Sequence, residues 1–106
     1  MQQSMIKFGC YKVTGDSMLP SFCGGDFVII YRRSKSTFKQ GDVVVVEHTR
    51  LGKIIKRIMA VESEGNLLLA GDNFAASTDT LTLGTIEPEQ VLGRVIWHAS
   101  QSARKC

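Results

Sequence analysis

Four consecutive valines, Val43-Val44-Val45-Val46, follow Gly41-Asp42 and precede Glu47-His48. β-Branched side chains are stiff at χ1 and favour extended backbone, so this run predicts a strand over residues 42–48. Its middle is apolar at every position rather than at alternate ones. A strand of that kind is buried on both faces, and other elements must cover it above and below. A second run, Phe27-Val28-Ile29-Ile30-Tyr31, mixes β-branched and aromatic residues and predicts a strand over 27–32. Both runs are far shorter than the roughly 18–20 apolar residues that cross a bilayer as a helix.

The remaining elements follow from composition and punctuation. Further strands are expected over 11–14, 53–61, 67–70 and 91–97, with turns over 49–52 and 62–66. Gly93 interrupts the last strand and marks a bulge or a close backbone approach. Residues 17–22 read as a single helical turn with Pro20 near its start. Residues 71–84, rich in Asp, Asn, Ser and Thr, read as a loop long enough to be functional. Seven or so short strands joined by glycine-rich turns define an all-β chain, a small barrel or sandwich. A chain of 106 residues holds one domain, residues 1–106, with its core over about 10–98 and a fraying polar tail at 99–106.

Charge excludes little. The net charge is +3, from 13 basic and 10 acidic residues, too mild to argue for a nucleic-acid partner, and none is expected. The basic clusters Arg32-Arg33-Ser34-Lys35 and Arg104-Lys105 read as a solvated turn and a solvated tail. Weak contact with an acidic partner or an anionic membrane surface is the alternative. Cys10, Cys23 and Cys106 are odd in number and have no CxxC spacing, so reduced thiols are expected rather than a zinc site or a disulfide framework. His48 and His98 read as isolated surface and tail residues. No metal or cofactor is implied. Met1-Gln2-Gln3-Ser4-Met5 has neither the charged nor the apolar segment of a signal peptide. The expectation is a soluble cytoplasmic protein, with peripheral membrane contact left open.

Four features carry chemistry. In Gly15-Asp16-Ser17-Met18-Leu19-Pro20, a serine follows a tight glycine turn, which suits an exposed nucleophile whose own N–H assists an oxyanion. An ordinary turn or helix cap is the bland reading of the same residues. In Ile54-Ile55-Lys56-Arg57-Ile58, strand alternation places Ile54, Lys56 and Ile58 on one face. Burial there would push the Lys56 amine toward its neutral, proton-accepting form; a lysine that snorkels to water is the alternative. The loop Gly71-Asp72-Asn73-Phe74-Ala75-Ala76-Ser77-Thr78-Asp79 offers polar groups to orient that amine. Gly25-Asp26 and Gly41-Asp42 each read as a turn glycine followed by a capping aspartate.

Taken in order, these segments resemble the type I signal peptidase family of Ser/Lys endopeptidases, from about Val13 to Trp97. The resemblance rests on the Ser17-Met18-x-Pro20 box, two Gly-Asp-strand segments, the Lys56-Arg57 box and the Gly71-Asp72-Asn73 box with Ser77 and Asp79. It implies that Ser17 attacks a peptide carbonyl, Lys56 is the general base and Ser77 orients the amine. It further implies that Asp72 pairs with Arg57, that Met18 packs beside the nucleophile, and that Asn73 and Asp79 support the loop. Three departures stand out. Gly15 replaces the serine that some members use as a second oxyanion donor. Leu81 replaces a basic residue after Asp79. The membrane anchor and the large insertion of bigger members have no counterpart in these 106 residues.

The compact form resembles the nickel-type superoxide dismutase maturation proteases of that family, which implies a protein or peptide precursor as substrate. A self-cleaving domain like those of the SOS-response repressors shares the serine box and the lysine strand, and is the second expectation. A non-catalytic β-barrel binding module is the third.

Overall fold

The computed structural model describes residues 6–33, 37–73 and 83–100. They form strands β1 (Ile6–Lys12), β2 (Phe27–Arg33), β3 (Val43–His48), β4 (Gly52–Val61), β5 (Leu67–Ala70) and β6 (Val91–Ala99), with a 3-10 turn at Pro88–Gln90. All six lie in one antiparallel sheet, ordered β1-β2-β6-β3-β4-β5. The chain is all-β, as expected, but the sheet is open: β1 and β5 end it and do not pair to close a barrel.

The valine run sits near the middle of the sheet and is buried on both faces. Val44 and Val46 join Ile58, Leu67, Leu69, Leu83, Ile86 and Val91 in one apolar cluster. Val43 and Val45 join Val13, Met18, Phe22, Val28 and Ile30 in a second. β3 is thus the partition between two half-cores, which is why every one of its middle positions is apolar.

The two Gly-Asp segments build the same turn. Asp26 and Asp42 each close a turn by an N–H to the carbonyl three residues back, on Cys23 (3.0 Å) and Lys39 (3.1 Å). Their carboxylates accept the N–H of the same residues, at 2.9 Å and 3.0 Å. Gly25 and Gly41 occupy the third position with φ of 97° and 95°, as a type II turn requires.

Gly93 is both a bulge neighbour and a close approach. The register of β6 shifts against β2 between Ile29 and Ile30, and against β3 between Val45 and Val46. A Cβ at Gly93 would lie 3.0 Å from Ile30 Cβ and 3.0 Å from the Tyr31 carbonyl oxygen. Gly93→Ala is therefore expected to destabilise the fold by about 1–3 kcal/mol, because backbone and a buried side chain must move. Urea unfolding checks this, and an unchanged midpoint would contradict it.

Several local expectations are corrected. β1 begins at Ile6, not at Tyr11, because it pairs residue for residue with β2 from Ile6↔Arg33 to Lys12↔Phe27; that pairing partner is invisible in the local sequence. Residues 17–22 do hold the single helical turn expected of them, closed by one bond from Phe22 N–H to the Met18 carbonyl (2.9 Å), with the Leu19–Pro20 peptide cis. Arg32 is not a solvated turn residue. Its guanidinium donates to the carbonyls of Pro88 (2.9 Å) and Val91 (2.5 Å), at the two ends of the 3-10 turn. His48 is buried. Its Nδ1 accepts the N–H groups of Arg50 and Leu51, so Nε2 carries the proton and donates to the Leu83 carbonyl at 2.9 Å. His98 lies on β6 with Nε2 2.7 Å from the buried Asp26 carboxylate. Cys10 is free and exposed, whereas Cys23 is disulfide-bonded, which corrects the expectation of three reduced thiols.

Candidate active site

β4 brings the lysine into place. It pairs with β3 on one edge from His48↔Gly52 to Val43↔Arg57, and with β5 on the other edge only from Arg57 onward. Over Lys53 to Ile55 that second edge has no strand partner among the described residues. Lys56 stands opposite Val44, between Ile54, which packs on the first apolar cluster, and Ile58, which belongs to it. The residue is only 4% exposed. Loss of solvent there pushes its amine below the usual lysine range, since low dielectric disfavours the ammonium form.

The serine arrives from the opposite direction. After β1 the chain leaves the sheet edge through Val13, whose N–H bonds the Asp26 carbonyl at 2.7 Å. It then turns at Gly15-Asp16, and the buried Met18 anchors the turn in the second apolar cluster. Ser17 is half-buried. Ser17 and Lys56 line one pocket of about 120 Å³, together with Tyr11, Lys12, Val13 and Thr14 on one side and Lys53, Ile54 and Ile55 on the other. Val28 and Val45 complete the lining. The pocket lining is mixed: Val13, Val28, Val45, Ile54 and Ile55 are apolar, while Lys12, Thr14 and Lys53 join Ser17 and Lys56 as polar groups.

The Gly71-Asp72-Asn73 segment ties the two elements together. Asn73 N–H donates to the Ser17 carbonyl (2.9 Å) and its side-chain amide donates to the Asp16 carbonyl (2.9 Å). Asp72 accepts two bonds from Arg57, each 2.9 Å. It also accepts one from the Ser21 hydroxyl at 2.6 Å. Arg57 donates in addition to the Gly41 carbonyl at 2.8 Å. A continuous path of hydrogen bonds thus runs from the serine turn, through Asp72, to the residue adjacent to Lys56. Ser21 was not singled out from sequence; an exposed serine in a polar turn carries no pattern that distinguishes it. Ser77 and Asp79 lie outside the described residues, as do Leu81 and most of the loop expected over 71–84. Among the described residues no group of three or more His, Cys, Asp or Glu is placed to hold a metal ion.

The Arg57–Asp72 pair makes a pH-dependent contribution. The Arg57 hydrogen bonds hold the Asp72 carboxyl below the usual carboxylate range; burial opposes them and Ser21 adds to them. A depressed carboxylate pKa stabilises the fold above the unfolded value of about 3.9, and this stabilisation is lost as pH falls through the folded value. Asp72→Asn is expected to cost about 1–2 kcal/mol at neutral pH and much less at low pH. Chemical denaturation at both pH values checks this, and an equal loss at each would contradict it.

Ser17, on a turn, and the buried Lys56, on β4, thus line the same pocket of an open antiparallel sheet. The chain belongs to the Peptidase S24-like family, which it matches over residues 3–96. That family points to a serine peptidase domain acting on another chain or on itself, and so supports the Ser/Lys resemblance at the level of the domain. Neither the curated proteins nor the solved structures returned a match.

Proposed function

We propose that this chain is a serine endopeptidase in which Ser17 is the nucleophile and Lys56 the general base. The observation that supports the reading is that a half-buried serine and a buried lysine line one pocket. In this mechanism Ser17 Oγ attacks the scissile carbonyl carbon and its proton passes to Lys56 Nζ. The tetrahedral intermediate collapses as Lys56 returns that proton to the leaving amine. Water, deprotonated by the same amine, then cleaves the acyl–serine ester and regenerates the hydroxyl. Ser17 N–H assists the oxyanion, Ser77 orients the amine, and Asp79 and Asn73 hold the loop. No metal or cofactor enters the cycle.

The edge of β4 over Lys53 to Ile55, which has no strand partner among the described residues and whose residues line the pocket, supports a peptide substrate bound as an added strand. A protein precursor trimmed at a leader, as in the superoxide dismutase maturation proteases that the sequence resembles, is the substrate class we favour. The family match supports a second reading, self-cleavage. Incubation of the protein alone and with a proteome-derived peptide library, followed by mass spectrometry, separates the readings. New peptide termini support action in trans, and a mass change in the protein alone supports self-cleavage. Neither product from the wild type at any pH between neutral and alkaline would overturn the peptidase reading.

A further inference from the structure

The half of the sheet built from β1, β2 and β6 has one covered face and one open face. Directly opposed residues of an antiparallel pair share a face. Val28 and Ile30 face the second apolar cluster. On the other side Phe8 stands opposite Tyr31, Lys12 opposite Phe27, Trp97 opposite Ile29 and Arg94 opposite Tyr31. This side is exposed: Phe8 by 66%, Ile6 by 56%, Trp97 by 55% and Phe27 by 41%. Half of the large exposed apolar side chains of the described residues therefore share one face of three strands. No Asp or Glu occupies a strand position on it.

We propose that this face docks on an anionic membrane surface. Aromatic rings interleaved with Lys and Arg match the interfacial zone of a bilayer. There the rings sit at headgroup depth, and the cations extend along them to lipid phosphates and carboxylates. Lys12 already lies over the Phe27 ring, 6.0 Å from its centre, so its charge is carried on an aromatic base. A second copy of this chain fits less well. Two such faces in contact would bring Lys12 and Arg94 toward cations, with no carboxylate on either side to receive them.

Trp97 is the single tryptophan of the chain, and its emission reports on this face directly. Mixed phosphatidylcholine–phosphatidylserine vesicles should pellet the protein and shift Trp97 emission to the blue. Brominated lipid should quench that emission, and phosphatidylcholine alone should do much less. Phe8→Asp and Arg94→Glu should each weaken partitioning by about tenfold or more, while Arg50→Glu, in the β3–β4 turn, should change it little. Circular dichroism confirms folding of each variant, and brominated-lipid quenching of the wild type needs no variant. Absence of quenching by the mixed vesicles would overturn the proposal. So would equal binding of wild type, Phe8→Asp and Arg94→Glu, or a Trp97 blue shift that follows self-association without lipid.

Discussion

Replacing Ser17 by alanine is expected to lower kcat on any cleaved peptide by about 10⁴-fold or more, because no other group takes over the covalent step. The loss should fall on kcat with little change in KM, since the pocket walls that receive the peptide are untouched. Stability should stay within about 0.5 kcal/mol of wild type, because the fold is anchored by the buried Met18 next to it and by the Ser17 carbonyl bonded to Asn73. The carbonyl is backbone and survives the substitution. A binding module with an idle serine makes the opposite prediction: its function would be unaffected. Steady-state kinetics and urea unfolding of the same protein preparation decide between them.

Lys56→Met is expected to do two things at once. It should abolish peptide cleavage to a similar degree, and it should raise the melting temperature by about 3 °C or more. The second effect follows from linkage. Burial lowers the Lys56 pKa in the folded state from the ordinary value of 10.5. Between those two values the unfolded chain binds more protons than the folded one, so stability rises with pH across that window. Below the window the full cost of burying the amine is present, and above 10.5 it vanishes. The stabilisation by Lys56→Met should therefore be largest at neutral and acidic pH and shrink toward strongly alkaline pH. Thermal melts across pH, with activity measured alongside, test both halves; a less stable methionine variant would contradict the account.

Much of this was legible in the sequence because it depends on local chemistry. The unbroken valines marked the doubly buried strand, and alternation through Ile54, Lys56 and Ile58 put the lysine on a buried face. The repeated Gly-Asp pairs named two turns that the structure builds identically. What the sequence did not show depends on distant pairing. Ile6 to Gly9 became strand only because β2 offers a complementary edge. His48 looked like a strand-end surface residue, yet the Leu83 carbonyl, 35 residues away, draws it inward. Arg32 looked solvated, yet it satisfies the carbonyls at the ends of the 3-10 turn. The open sheet in place of a barrel or sandwich is the same kind of fact, since strand count and turn chemistry do not specify closure. At the site, the Arg57–Asp72 pair was anticipated by resemblance, while the Ser21 contact had no sequence signal at all.

The most direct test of the central claim is to trap the acyl-enzyme. A peptidyl ester is mixed with the protein and the adduct is located by tandem mass spectrometry. The reaction is then followed across pH in wild type, Ser17→Ala and Lys56→Met. The account predicts one acyl group, on Ser17. Its rate of formation should rise with pH through a single ionisation below the usual lysine range, and no adduct should form in either variant. An acyl group on another residue, or formation in Lys56→Met at the wild-type rate, would contradict it.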